Sequence, residues 1–225
     1  VNYRTILSLS LLALTLFFSG CGSSPNDKIY ILDAMDRDSS ISALTPQGQS
    51  VAVKVGPVSI SDVLDQLQIV SRSGENSLIV DEFNRWGGDF QSDIQRVIGE
   101  NISILLPTDQ VILSQEIGLL PIDYQVLVNI REFDGTLGGM VNLNADWTVA
   151  GKGKGKGKGK GKGKDKGKDK SIVTRKSVLE EQADGAGYDA YVAAQSRLLK
   201  KLSQDITAEI RNQLAKERTR NNLSN

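Results

Sequence analysis

Residues 141 to 149, VNLNADWTV, alternate apolar and polar positions without a break. Val141, Leu143, Ala145, Trp147 and Val149 fall on one face of an extended chain, and Asn142, Asn144, Asp146 and Thr148 on the other. That period of two marks a strand with one buried face. The strand runs directly into GKGKGKGKGKGKGKDKGKDK, residues 151–170, and SIVTRKSVLEEQ beyond it reads as the returning strand. The tract is therefore expected at the tip of a β-hairpin, a place that tolerates a long insertion. It holds ten lysines against Asp165 and Asp169, a surplus of eight positive charges. Because the chain's 27 basic residues equal its 27 acidic ones, the remainder carries an equal acidic surplus. A Gly-rich block of one sign can bury nothing to offset its chain entropy, so the expectation is a long disordered loop on an acidic body.

At 225 residues and 39% hydrophobic composition the chain can build a real core in one domain or two small ones. KIYILD from Lys28 reads as a strand, and SVAVKVGPVSI as a strand ended by Gly56 and Pro57, since proline donates nothing to a ladder. LQIVSRSGENSLIVDEF is two strands joined by SGEN. Asp89 is placed to cap a helix whose Phe90, Ile94, Val97, Ile98, Ile102 and Leu105 keep helical spacing up to Pro107. QVILSQ is a further strand, and Tyr124, Val126, Val128 and Ile130 alternate with polar neighbours in the next, before FDGTLGG turns the chain. The last helix is expected from Tyr188 to about Leu214, with Tyr191, Val192, Leu198, Leu199, Leu202, Ile206 and Ile210 in one stripe, and residues 216–225 fraying. The order predicts one α+β domain over 28–215, mainly antiparallel sheet with both helices on one face.

The first twenty residues have the plan of an export signal: Arg4, an apolar run from Ile6 to Phe18, then Ser19 and Gly20. The run is too short to cross a membrane, which takes ~20 apolar residues. Cys21, the chain's single cysteine, follows in the frame FFSGC, which resembles a bacterial lipobox. Cys21 is thus the expected lipid attachment site, with residues 21–27 a lipidated tether. At ~0.8 kcal/mol per buried CH₂, three acyl chains hold almost permanently. Gly22 after the cysteine favours the outer membrane over the inner one.

The chain has no histidine, which removes Ser-His-Asp and Cys-His pairs and the usual zinc sites together. Asp81 with Glu82, and Glu180 with Glu181, are adjacent on strands and point to opposite faces, so neither pair converges on a substrate. Asp33, Asp36 and Asp38 lack the spacing and closing Glu of a calcium loop and read as a solvated acidic turn. The tract's glycines all fall on odd numbers, so the five-residue separation of a phosphate-binding loop never occurs. Ten lysines would bind polyanions in a salt-sensitive way, but the tract has no aromatic to stack on bases and export removes it from nucleic acid. The tract reads first as a Gly-Lys repeat expansion tolerated at a hairpin tip; the functional alternative is contact with anionic headgroups or an acidic partner within a coil span of roughly 25 Å. No cofactor is expected.

Several stretches in order, VGPVSISDVLDQLQIVSR, NSLIVDEFNRWGGDF, VIGENISILLP, VNLNADWTV and YDAYVAAQSRLLKKLSQDITAEI, resemble the PqiC-like auxiliary lipoproteins of ABC-type transport systems. The resemblance covers most of residues 50–210 apart from the tract. It implies a non-enzymatic outer-membrane lipoprotein that works with an MCE-type periplasmic protein of a lipid transport system and supports membrane integrity. The alternative it leaves open is a periplasmic carrier with its own apolar cavity, and a homo-oligomer is open too. Gly56, Pro57, Arg72, Arg85 and Trp86, which lie within these stretches, form the candidate partner interface. Trp86, where strand meets helix, is either a packed corner or part of that surface.

Overall fold

The computed structural model describes residues 3, 26–37, 51–106, 108, 110–113, 121–152 and 171–223. Apart from Tyr3, the expected signal segment lies outside the described residues, as do Cys21, Asp38 and most of the 151–170 tract. In chain order the elements are β1 (Lys28–Tyr30), β2 (Val53–Ile60), β3 (Gln68–Gly74), β4 (Ser77–Trp86), α1 (Phe90–Leu105), β5 (Val111–Ile112), β6 (Tyr124–Gly135), β7 (Met140–Gly151), β8 (Ile172–Gln182) and α2 (Tyr188–Asn222). The architecture is α+β, as the element order predicts.

The strands form two sheets, ordered β5-β2-β6-β7-β8 and β1-β4-β3. The larger one is mixed. β6, β7 and β8 are a continuous antiparallel meander, whereas β2 pairs in parallel with both β5 and β6. A parallel neighbour needs a long crossover, and the β3–β4 hairpin and α1 between Ile60 and Tyr124 supply it. The hairpin closes through the Gly74↔Ser77 pair around Glu75 and Asn76 of the expected SGEN turn, and β1 adds in parallel along Asn84–Trp86.

One face of the larger sheet is buried. Tyr124, Val126, Val128 and Ile130 of β6 and Val141, Leu143, Ala145, Trp147 and Val149 of β7 belong to one core with the apolar stripes of both helices. The opposite face is polar, with Ser59 donating to Asn129 at 2.9 Å and the Thr148 and Thr174 hydroxyls paired at 2.9 Å. The α1 N-terminus is capped as expected, the Asp89 carboxylate accepting from the Ser92 N–H at 2.6 Å. Tyr191 and Gln195 of α2 reach the carbonyls of Val70 and Phe133. Trp147 is core, its Nε1–H donating to Ser177 Oγ at 2.9 Å while Ser177 donates to Asp205 at 2.7 Å.

β7 and β8 pair from Met140↔Gln182 to Ala150↔Ile172, and the Gly151 N–H donates to the Ser171 carbonyl at 2.8 Å. The lysine tract is therefore inserted at the hairpin tip. The other end of the hairpin lies about 36 Å away, from ~3.3 Å per residue along β7. There Tyr188 opens α2 and packs on Tyr30 of β1 with ring centroids 6.3 Å apart.

Three expectations change. β2 does not stop at Gly56 and Pro57: the ladder skips there and resumes at Val58↔Val128, because a bulge accommodates a residue with no N–H. Helix α2 runs on to Asn222 through residues expected to fray, since KERTR contains no glycine or proline to stop it and its charged side chains are mostly good helix formers. KIYILD forms strand only to Tyr30. Leu32 is then buried, and its N–H donates to Asp93 on α1 while that of Asp33 donates to Ser196 on α2, so the segment crosses the helix layer. The chain beyond Asp33 keeps Asp36 exposed.

Candidate partner surface

At Gly56 the backbone has φ +121°, a conformation that favours glycine, and an added Cβ would lie 2.8 Å from Gln95 Nε2. Gln95 on α1 donates to the Val55 carbonyl at 2.9 Å and to that of Leu113. From the other side Gln125 donates to the Gly56 carbonyl at 3.0 Å. The bulge is thus clamped between helix and sheet, with a cis Gly56–Pro57 peptide. Pro57 is exposed and, with Lys54, Gln91, Gln95 and Leu113, lines an open cleft of about 260 Å³. A second cleft of about 270 Å³, between Gly99, Glu100, Ser103, Thr108 and Val111, lies across Leu113. Both fall just short of the ~300–1,000 Å³ typical of small-molecule sites.

Arg72 is committed within the fold. Its guanidinium pairs with Asp134, which is buried, and reaches Glu132 Oε1 at 3.4 Å. Phe133 between them points inward and stacks on Phe90, which stacks on Trp86 with centroids 4.1 Å apart. Trp86 is only 5% exposed, so of its two readings the packed corner is the observed one.

Arg85, beside it, faces out. Its Nη2 lies 3.4 Å from Asp27, and its β1 partner is Ile29. Ile29 and Ile31 are 72% and 60% exposed, and both lean over Gly87, where a Cβ would meet their Cγ2 atoms. Leu67, 53% exposed, accepts from the Trp86 N–H through its carbonyl at 2.8 Å. Arg85 therefore sits beside a small exposed apolar patch of Ile29 and Ile31 on β1, with exposed Leu67 flanking β4 on its other side. Sequence reading missed this patch because Ile29 to Leu32 is a continuous apolar run, and only the pairing of β1 with β4 decides that Tyr30 and Leu32 face the core and Ile29 and Ile31 the solvent. Among the five interface candidates, Pro57 and Arg85 are surface residues on different elements, whereas Gly56, Arg72 and Trp86 hold the scaffold.

The carboxylates considered for acid-base chemistry are engaged structurally. Burial opposes ionisation of Asp81, but hydrogen bonds from Asn84, the Phe83 N–H and Tyr188 outweigh it and lower its pKa. Lys201 first, then Arg197, lower that of Glu181 despite burial. Glu82 and Glu180 are exposed on the other faces of their strands. Among the described residues no group of three acidic or cysteine side chains could hold a metal.

A family model described as the ABC-type transport auxiliary lipoprotein component matches residues 30–207. The chain belongs to this family. The auxiliary lipoprotein shares its fold with two solved structures. One is of an uncharacterized protein, 20% identical, with a TM-score of 0.61 over 83% of this chain and 99% of that one. The other is protein XCC0632 from Xanthomonas campestris, 15% identical, with a TM-score of 0.58 over the same shares. Among curated proteins none matches. No helix among the described residues of the auxiliary lipoprotein is long and apolar enough to cross a membrane.

Proposed function

We propose that this auxiliary lipoprotein is a non-enzymatic docking component of an MCE-type lipid transport system. Acyl chains on Cys21 hold it at the periplasmic face of the outer membrane, where it supports membrane integrity. Membership of the transport auxiliary lipoprotein family carries the reading. Its mechanism is positional: the lipid fixes the molecule, exposed elements engage the periplasmic partner, and no covalent chemistry takes place.

Two observations support docking over lipid carriage. The clefts at Pro57 and Thr108 are small and open, while the core between sheet and helices is filled by large side chains such as Tyr124, Phe133 and Tyr191. The apolar patch around Arg85, with Ile29, Ile31 and Leu67 exposed, gives a partner both surface to bury and a charge to orient it. On this reading the lysine tract leaves from the far end of the domain, about 36 Å from the end where the tether enters.

A photo-crosslinking residue at Leu67 or Pro57, expressed in the native envelope, tests the reading. Capture of an MCE-type protein at either position supports docking. Native mass spectrometry of the protein retaining a stoichiometric lipid, with no such capture, would establish the carrier instead.

A further inference from the structure

β8 is the outer strand of the larger sheet, and no described residue pairs with its free edge. Charged side chains, Lys above all, ordinarily protect such an edge from another strand. Here the signs invert about a centre. Val178, 63% exposed, sits in the middle of the face turned away from the helices. Lys176 stands two residues before it and Glu180 two residues after, both exposed. On the helix face Arg175 stands three before and Glu181 three after.

An antiparallel strand of the same sequence, centred on Val178, sets Lys176 opposite Glu180, Arg175 opposite Glu181 and Val178 opposite itself. Each pair shares a face, so outward side chains meet outward side chains and the helices of both copies stay on one side. A slip of one residue would lose this.

Helix α2 agrees with that register. It lies over β7 and β8, bonded to the Val149 carbonyl through Gln213, to Ser177 through Asp205 and to Arg175 through Glu209. Two copies of α2 would stand about two strand spacings apart, roughly 10 Å, an ordinary distance for packed helices. Arg197 and Lys201 lie beside Glu181, and Asp205 and Glu209 beside Ser177 and Arg175. The antiparallel copy brings Arg197 and Lys201 of one helix toward Asp205 and Glu209 of the other.

We propose that a second copy of this chain pairs along β8, with a two-fold axis through Val178 and one sheet continuous across both subunits. This does not depend on the transport partner or on lipidation.

Sedimentation velocity on the full chain, dispersed in detergent, tests it. The expected result is a reversible dimer whose dissociation constant rises about tenfold in Lys176→Glu, which sets like charges opposite each other twice. The double variant Lys176→Glu/Glu180→Lys restores the original value by exchanging the signs. Val178→Cys crosslinks to itself on oxidation above the background of the unsubstituted chain, which has Cys21 alone. A monomer at all concentrations up to about 1 mM, a dimer indifferent to Lys176→Glu, or a higher assembly in which Val178→Cys fails to crosslink overturns the proposal. Circular dichroism of the double variant separates loss of pairing from loss of fold.

Discussion

The Tyr191 hydroxyl donates to the Val70 carbonyl at 2.9 Å, joining α2 to β3 of the smaller sheet across 121 residues of sequence. Both groups are buried, so removing the donor leaves a carbonyl without water to replace it. Tyr191→Phe keeps the ring and should cost about 1–3 kcal/mol. The urea unfolding midpoint measures this, and an unchanged midpoint would mean that the bond is not made.

Trp86 stacks on Phe90, which stacks on Phe133, and these rings join β4, α1 and β6. Trp86→Ala opens a cavity at that junction and should lower stability by roughly 3–5 kcal/mol. A tryptophan used only to grip a partner would leave the denaturation curve of the isolated protein where it was.

Asp81 and Glu181 make stability fall in acid. Hydrogen bonds that outweigh burial lower the pKa of Asp81 below 3.8, and Lys201 and Arg197 lower that of Glu181 below 4.5. A lowered folded value gives a contribution fully present above the unfolded pKa and lost as pH falls through the folded one. Thermal melts should therefore decline below about pH 4. Asp81→Asn and Glu181→Gln should each melt earlier at pH 7 and show a shallower acid decline.

The hairpin is closed by the Ala150↔Ile172 pair and the Gly151–Ser171 bond, independently of the residues between. Replacing residues 153–170 with Asn-Gly should leave the fold intact and raise stability by about 1–2 kcal/mol through shorter loop closure. Salt-sensitive binding to anionic vesicles should vanish in the same variant. A protein that no longer folds would show that the tract contributes to the structure.

Much of this molecule is legible in one dimension. Alternation from Val141 to Val149, the Asp89 cap, the helical stripe from Phe90 to Leu105 and the returning strand after Ser171 are set by neighbours within a few residues. The period of two or 3.6 then needs only a core on one side. Residues 56 and 57 misled because a proline argues locally against a strand, whereas Gln95 and Gln125, far off in sequence, hold the bulge that lets β2 continue.

Sequence alone determined which segments are strands and helices, the placement of the lysine tract at a hairpin tip, and the loss of histidine chemistry. Tertiary structure alone decided that the strands divide into two sheets, that Trp86 and Arg72 serve the scaffold, and that Ile29, Ile31 and Arg85 share a surface. The physical reason is range. Periodicity and capping are interactions within a turn or two, but which strand lies beside which, and which exposed residues meet, depends on contacts between residues dozens of positions apart that no local pattern encodes.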